Sequence, residues 1–209
     1  MQRTVFTTPL IKTLLYWISL GFLKAFRWRT EGKLPDIRKY VVIAAPHTTN
    51  WDLPITLAIA FTFQCDIYWM GKETIFKRPF GRIMKFLGGI PVDRSKSNNA
   101  VEQSIEAFRE NEKFVLVIPP EGTRRSVKYW KTGFYHIANG ANVPIVMGFL
   151  DYKRKVGGIG RIFQPTGDIN VDMVEIQYFY AGIAGKYPEK SSLADIAPQI
   201  EKALYRKVG

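Results

Sequence analysis

Cysteine is nearly missing from this chain: among 209 residues Cys65 stands alone. No internal disulfide, cysteine-rich zinc site or dithiol redox pair can be built from one thiol, and a reducing compartment is expected. Histidine is almost as scarce, with only His47 and His136, so no metal-binding cluster is foreseen. A long hydrophobic run is lacking too. In the most apolar stretch, Leu10 to Phe26, eleven uncharged residues separate Lys12 from Lys24. At helical rise they cover roughly 16 Å, about half of a hydrocarbon core, so a spanning helix is not expected. No small-residue cleavage site follows Phe26, which argues against a secretory signal peptide. Internal repeats, linkers and low-complexity segments are absent as well.

The composition that remains is that of a folding chain: 46% hydrophobic and 23% charged, of a length suited to one α/β domain. Thirty Lys and Arg against 18 Asp and Glu leave a net charge of +12, a field that attracts nucleic acid, anionic lipid headgroups or phosphorylated substrates. Aromatic residues make up 14%, and their amphipathic rings suit a membrane interface or base stacking. Charge and rings alone do not choose between these partners.

The Leu10 to Phe26 segment reads best as an interfacial amphipathic helix. Leu14, Leu15, Trp17, Ile18, Phe22 and Leu23 form its apolar side, and Lys12, Lys24, Arg27 and Arg29 supply charge for an anionic membrane surface. A helix docked on the protein's own core is the alternative. The expected organisation is therefore a helix within residues 1–30 and one domain over 31–209.

Downstream, strand and helix patterns alternate. Short apolar runs at 40–45, 67–70, 114–118 and 145–150 predict strands; helical patterns fall at about 50–63, 80–87, 98–112 and 132–139. The 98–112 helix is expected to turn Ala100, Ile105 and Phe108 inward. After Asp151, an edge hairpin is expected around Arg161 to Gln164 behind Gly157, Gly158 and Gly160. Ile169, Met173, Ile176 and Phe179 or Tyr180 recur at helical spacing, and 193–208 closes as a basic helix. The expected fold class is α/β: an α/β/α layered single domain on a mostly parallel, mixed central sheet, with ligands gathering past the carboxyl ends of the strands.

Past the first strand stands Pro46-His47-Thr48-Thr49-Asn50-Trp51-Asp52. This spacing lets the chain fold back so that Asp52 accepts a hydrogen bond from one imidazole nitrogen of His47, leaving the other as a general base. A helix cap with an ordinary loop histidine is the bland alternative. No serine or cysteine adjoins His47, so the nucleophile need not belong to the protein. Past the third strand stands Pro119-Pro120-Glu121-Gly122-Thr123-Arg124-Arg125-Ser126, whose backbone amides, hydroxyl and guanidiniums suit a phosphate, Glu121 holding an arginine fork or an acceptor hydroxyl. Gly89 to Arg94 offers a further arginine behind an apolar loop. Both segments could also be plain surface turns. His136 sits among aromatics and reads as a packing residue, Cys65 as buried, and Lys128, Tyr129, Trp130 and Lys131 as an acceptor entrance or membrane-facing rim.

Together these segments resemble the glycerolipid acyltransferases of the lysophosphatidate acyltransferase (PlsC-like) family. The His-x4-Asp block is carried by His47 and Asp52, the glycine-apolar-arginine block by Gly89 to Arg94, and Pro-Glu-Gly-Thr-Arg by Pro120 to Arg124. An apolar run around a proline matches Val143-Pro144-Ile145-Val146, with Met147 and Gly148 where many members have a second proline. The blocks keep the family's order over residues 47 to 146. The chain is short and lacks the longer N-terminal membrane segment of many relatives.

That resemblance implies an O-acyltransferase of membrane phospholipid synthesis, working at the cytoplasmic face of the cell membrane as a peripheral or monotopic protein. His47 would take the proton of a lysophospholipid-like acceptor, which attacks an acyl thioester of CoA or acyl carrier protein; Asp52 would orient it. Arg94, Glu121, Gly122, Thr123 and Arg124 would bind the acceptor's phosphate or equivalent headgroup. No metal and no resident cofactor is implied, the thioester being a co-substrate. The competing readings are a basic RNA-binding or membrane-binding module without catalysis, for which no RNA-binding fingerprint is visible and no nucleic-acid partner is expected, and a lipid hydrolase in which the same base acts on water.

Overall fold

A computed structural model describes residues 4–92 and 97–192. Its centre is a seven-stranded sheet: β1 (Arg29–Glu31), β2 (Lys39–Ala45), β3 (Ile67–Lys72), β4 (Gly89–Val92), β5 (Phe114–Ile118), β6 (Ile145–Asp151) and β7 (Val156–Phe163). In space the order is β1-β7-β6-β2-β5-β3-β4. Every neighbouring pair is parallel except β6 with β7, which run antiparallel. Helices α1 (Pro9–Ala25), α2 (Asp52–Thr62), α3 (Gly81–Phe86), α4 (Ser97–Glu110), α5 (Gly133–Ala141) and α6 (Ile169–Tyr180) complete the chain order. This is the single α/β domain on a mixed, mostly parallel sheet that the alternation foretells.

The central strands read as continuous apolar runs because both of their faces are covered. Val41, Ile43, Leu116, Ile145 and Met147 point into one core with Phe108 of α4 and Phe134 and Ile137 of α5. Tyr40, Val42, Val115, Val117 and Val146 point into the other, shared with Leu57 and Phe61 of α2. Helix ends follow local chemistry. Asp168 caps α6 by accepting from Asn170 N (3.0 Å) and Val171 N (3.3 Å), a cap worth about 1 kcal/mol. Asn142 closes α5 in the left-handed conformation.

Several expectations are corrected. The strand after Asp151 forms a hairpin with β6 but is not the edge, because β1 pairs with its outer side. The glycines there make room: a Cβ on Gly158 would lie 1.9 Å from the Glu31 carbonyl oxygen. Gly89 to Val92, read as a loop, is the parallel edge strand β4. His136 is exposed on α5 rather than packed in a core. On α4, Phe108 is buried while Ala100 and Ile105 are only partly so. The closing helix expected over 193–208 lies outside the described residues.

Helix α1 divides its apolar residues. Leu23 is buried against Ile55, Ala58 and Ile59 of α2 and Leu150 of β6, while Ile11 and Leu15 pack partly against the α2 side of the core. Leu10, Leu14, Trp17 (65% exposed) and Ile18 face outward. The helix is thus docked on the domain's core and still presents an uncovered apolar face. No helix among the described residues is long and apolar enough to cross a membrane.

Candidate active site

The site forms where β2 ends and α2 begins. His47 lies two residues beyond the last β2 residue, and Asp52 opens α2. Between them the chain turns so tightly that the Asp52 carboxylate folds back over its own segment. Asp52 Oδ2 accepts from Thr48 N–H (2.9 Å) and Thr49 N–H (3.0 Å) and lies 2.9 Å from His47 Nδ1. The two side chains therefore converge. Asp52 is only 5% exposed, whereas 22% of the His47 side chain is open. With Nδ1 directed at the carboxylate as donor, Nε2 is the nitrogen left to accept a proton.

Glu121 enters as a brace. Its residue is fully buried, and its Oε2 accepts the His47 backbone N–H at 2.6 Å, tying the loop after β5 to the loop after β2. Burial pushes its carboxyl up to about 7, although the His47 and Ser192 hydrogen bonds favour the charged form; the Asp52 charge pushes it up further. Glu121 thus grips the histidine loop from within. Gly122 has φ of +63°, and the methylenes of Lys131 lie across it, within 3.0 Å of where a Cβ would stand. Only glycine fits there without displacing Lys131. Thr123 is half-buried and Arg124 exposed on the same loop. Arg94 lies outside the described residues.

Gly122 also opens onto a cavity of about 680 Å³ beneath the loop, lined by Met70, Val101, Pro119, Phe134 and Lys131 among others. A second chamber of about 280 Å³, reaching Ala107 and Phe114, shares Met70, Val92 and Ala100 with it. The walls are largely apolar. His136 lines the larger chamber, and Trp130 is a buried wall residue packed edge-on against Tyr180. Tyr129 is the exposed ring of that segment, with Lys128 above it. The fourth motif block does not reach the site: Pro144 O accepts from Val41 N–H at 3.0 Å and Met147 is wholly buried, so this block seats β6 against β2.

The family model described as Acyltransferase matches residues 26–147, more than half of the chain, spanning both the His47–Asp52 turn and the Glu121 loop. The chain belongs to this acyltransferase family. A 1-acyl-sn-glycerol-3-phosphate acyltransferase of Streptococcus pneumoniae is 30% identical over 142 residues, covering 64% of this chain and 53% of the relative. The same-named protein of Haemophilus influenzae is 28% identical over 131 residues, covering 58% and 53%. The chain thus spans about half the length of these curated relatives. In fold, it is similar to the crystal structure of the 1-acyl-sn-glycerophosphate (LPA) acyltransferase PlsC from Thermotoga maritima, with TM-score 0.52 and 16% identity over 95% of this chain and 78% of that one.

Two contributors to this candidate site carry no sequence signal. Tyr152, on the turn between β6 and β7, donates its hydroxyl to Asp52 Oδ1 at 2.6 Å. Ser192 accepts from Val127 N–H at 3.1 Å and sets its amide and hydroxyl against Glu121. Neither lies within a motif in the sequence.

Proposed function

We propose that the chain moves a fatty acyl group from an acyl thioester, of CoA or acyl carrier protein, to the hydroxyl of a lysophospholipid-like acceptor of the 1-acylglycerol-3-phosphate type. The observation that carries this reading is the 2.9 Å contact between His47 Nδ1 and Asp52, which holds the imidazole in the tautomer whose Nε2 accepts a proton. In the reaction Nε2 takes the proton of the acceptor hydroxyl as its oxygen attacks the thioester carbonyl carbon. The tetrahedral intermediate collapses, the carbon–sulfur bond breaks, and the imidazolium returns the proton to the departing sulfur. General-base assistance supplies roughly 10²- to 10⁴-fold; placing hydroxyl and thioester together must supply much of the rest.

The placing falls to three features. Gly122, Thr123, Arg124 and Lys131 offer amides, a hydroxyl and cations for the acceptor's phosphate, and Arg94 belongs to the same role by its motif. The two neighbouring apolar chambers suit an acyl chain. The outward face of α1, with Lys24 and Arg27 near its end, suits the cytoplasmic face of an anionic membrane, where the lysophospholipid acceptor resides. The test is thiol release from acyl-CoA and acyl carrier protein with lysophosphatidate, other lysolipids or no acceptor. Acceptor-dependent release with esterified product supports transfer; equal release of free fatty acid without acceptor would show a hydrolase instead.

A further inference from the structure

The two oxygens of Asp52 are held from different places. Oδ2 receives His47 Nδ1 and the Thr48 and Thr49 amides, all from within five residues of Asp52. These bonds fix the carboxylate only against its own turn. Oδ1 receives the Tyr152 hydroxyl at 2.6 Å, from a residue one hundred positions away. A carboxylate pinned at both oxygens cannot swivel about its Cβ–Cγ bond, and such rotation would carry Oδ2 away from the imidazole.

Tyr152 is itself held on two sides. Its backbone N–H donates to Ala184 O at 2.9 Å, and its ring stands edge-on to Trp28, centroids 4.9 Å apart at 89°. Trp28 is buried and its backbone N–H donates to Leu23 O at 2.7 Å, so it is locked to the end of α1. A continuous set of contacts thus runs from α1 through Trp28 and Tyr152 to Asp52 and His47. Burial, and then the hydrogen bond to Asp52 and the charge of that carboxylate, hold the Tyr152 hydroxyl protonated and therefore a donor. Tyr187, the other titratable group facing it, acts in the same sense.

We propose that Tyr152 is a positioning residue for the His47–Asp52 pair, fixing the carboxylate from outside its own turn and keying it to the end of α1 through Trp28. The inference rests on the acyl-transfer reading of His47, and its test separates the two.

Tyr152→Phe keeps the ring on Trp28 and removes only the hydroxyl. Full-length wild type, Tyr152→Phe, Trp28→Leu and His47→Gln are compared for acyl-CoA and lysophosphatidate kinetics on vesicles. In parallel, the low-field proton on His47 Nδ1 is followed by NMR in 15N-histidine-labelled protein without substrate. Tyr152→Phe is expected to lower kcat about tenfold or more, as loss of an outer partner of a catalytic group does, while both KM values stay within twofold. Its Nδ1 proton signal broadens or disappears through faster exchange, and Trp28→Leu moves both readouts the same way to a smaller extent. Wild-type kcat with an unchanged Nδ1 signal in Tyr152→Phe overturns the proposal, as does a loss of activity that raises both KM values while leaving that signal intact. If His47→Gln transfers acyl groups like wild type, the acyl-transfer reading falls instead, and the Nδ1 signal still reports whether Tyr152 fixes Asp52.

Discussion

Glu121→Gln isolates one costly electrostatic choice in the fold, a carboxyl wholly buried between two loops. Its pKa moves from 4.5 to about 7 in the folded protein, so the folded state holds this proton more tightly than the unfolded chain does. The stabilisation from that proton is fully present below pH 4.5 and is lost as pH rises through about 7. Converted at 1.36 kcal/mol per pH unit, the loss amounts to about 3 kcal/mol. Glutamine keeps an oxygen to accept the His47 N–H but carries no charge, so its stability lacks this component. In urea unfolding at matched pH between 4 and 8.5, the variant should gain about 3 kcal/mol on wild type from the acid to the alkaline end. A difference that stays constant, or that grows in favour of wild type, would refute the reasoning. Glu121→Ala is the contrasting change: it strands the His47 N–H without its partner, at about 1–3 kcal/mol, and frees the histidine loop.

Further outcomes follow from other parts of the molecule. Gly158→Ala drives a Cβ into the Glu31 carbonyl and should cost about 1–3 kcal/mol, with amide protons of residues 29–31 exchanging faster. Gly21→Ala, on an exposed helical turn with open space around it, should raise stability by about 0.5–1 kcal/mol in thermal melts. Replacing Leu14, Trp17 and Ile18 together by Ser should abolish sedimentation with anionic vesicles while leaving the circular dichroism unchanged, since each exposed apolar side chain forfeits about 1.5–3 kcal/mol of burial in the interface. Ala107→Trp should fill the smaller chamber and shift preference toward shorter acyl chains, measured as the ratio of kcat/KM for long and short acyl-CoA.

The fold was legible in proportion to the length and burial of each element. Phe114 to Ile118 is a buried five-residue run with both ends marked, and strand β5 has those bounds. Strands β1 and β4 have three and four residues; β1 carries Arg29 and Glu31, and β4 contains Pro91, so neither shows an apolar period. What makes β1 a strand is the glycine track of β7, a relation between segments more than one hundred residues apart. The site divides in the same way. His47 and Asp52 are five residues apart and their contact is local, so spacing reveals it. Tyr152 and Ser192 reach Asp52 and Glu121 only through the packing of the sheet. Glu121 was expected beside a headgroup, and its sequence motif cannot show that its carboxylate turns inward to the His47 amide.

The most direct test of the central claim is single-turnover acyl transfer from a thioester to lysophosphatidate by His47→Gln, with folding verified by circular dichroism. Loss of at least 10³-fold in the rate of ester formation, with donor binding retained, is the predicted result, at a scale within the range of general-base catalysis. Ester formation at the wild-type rate would contradict it.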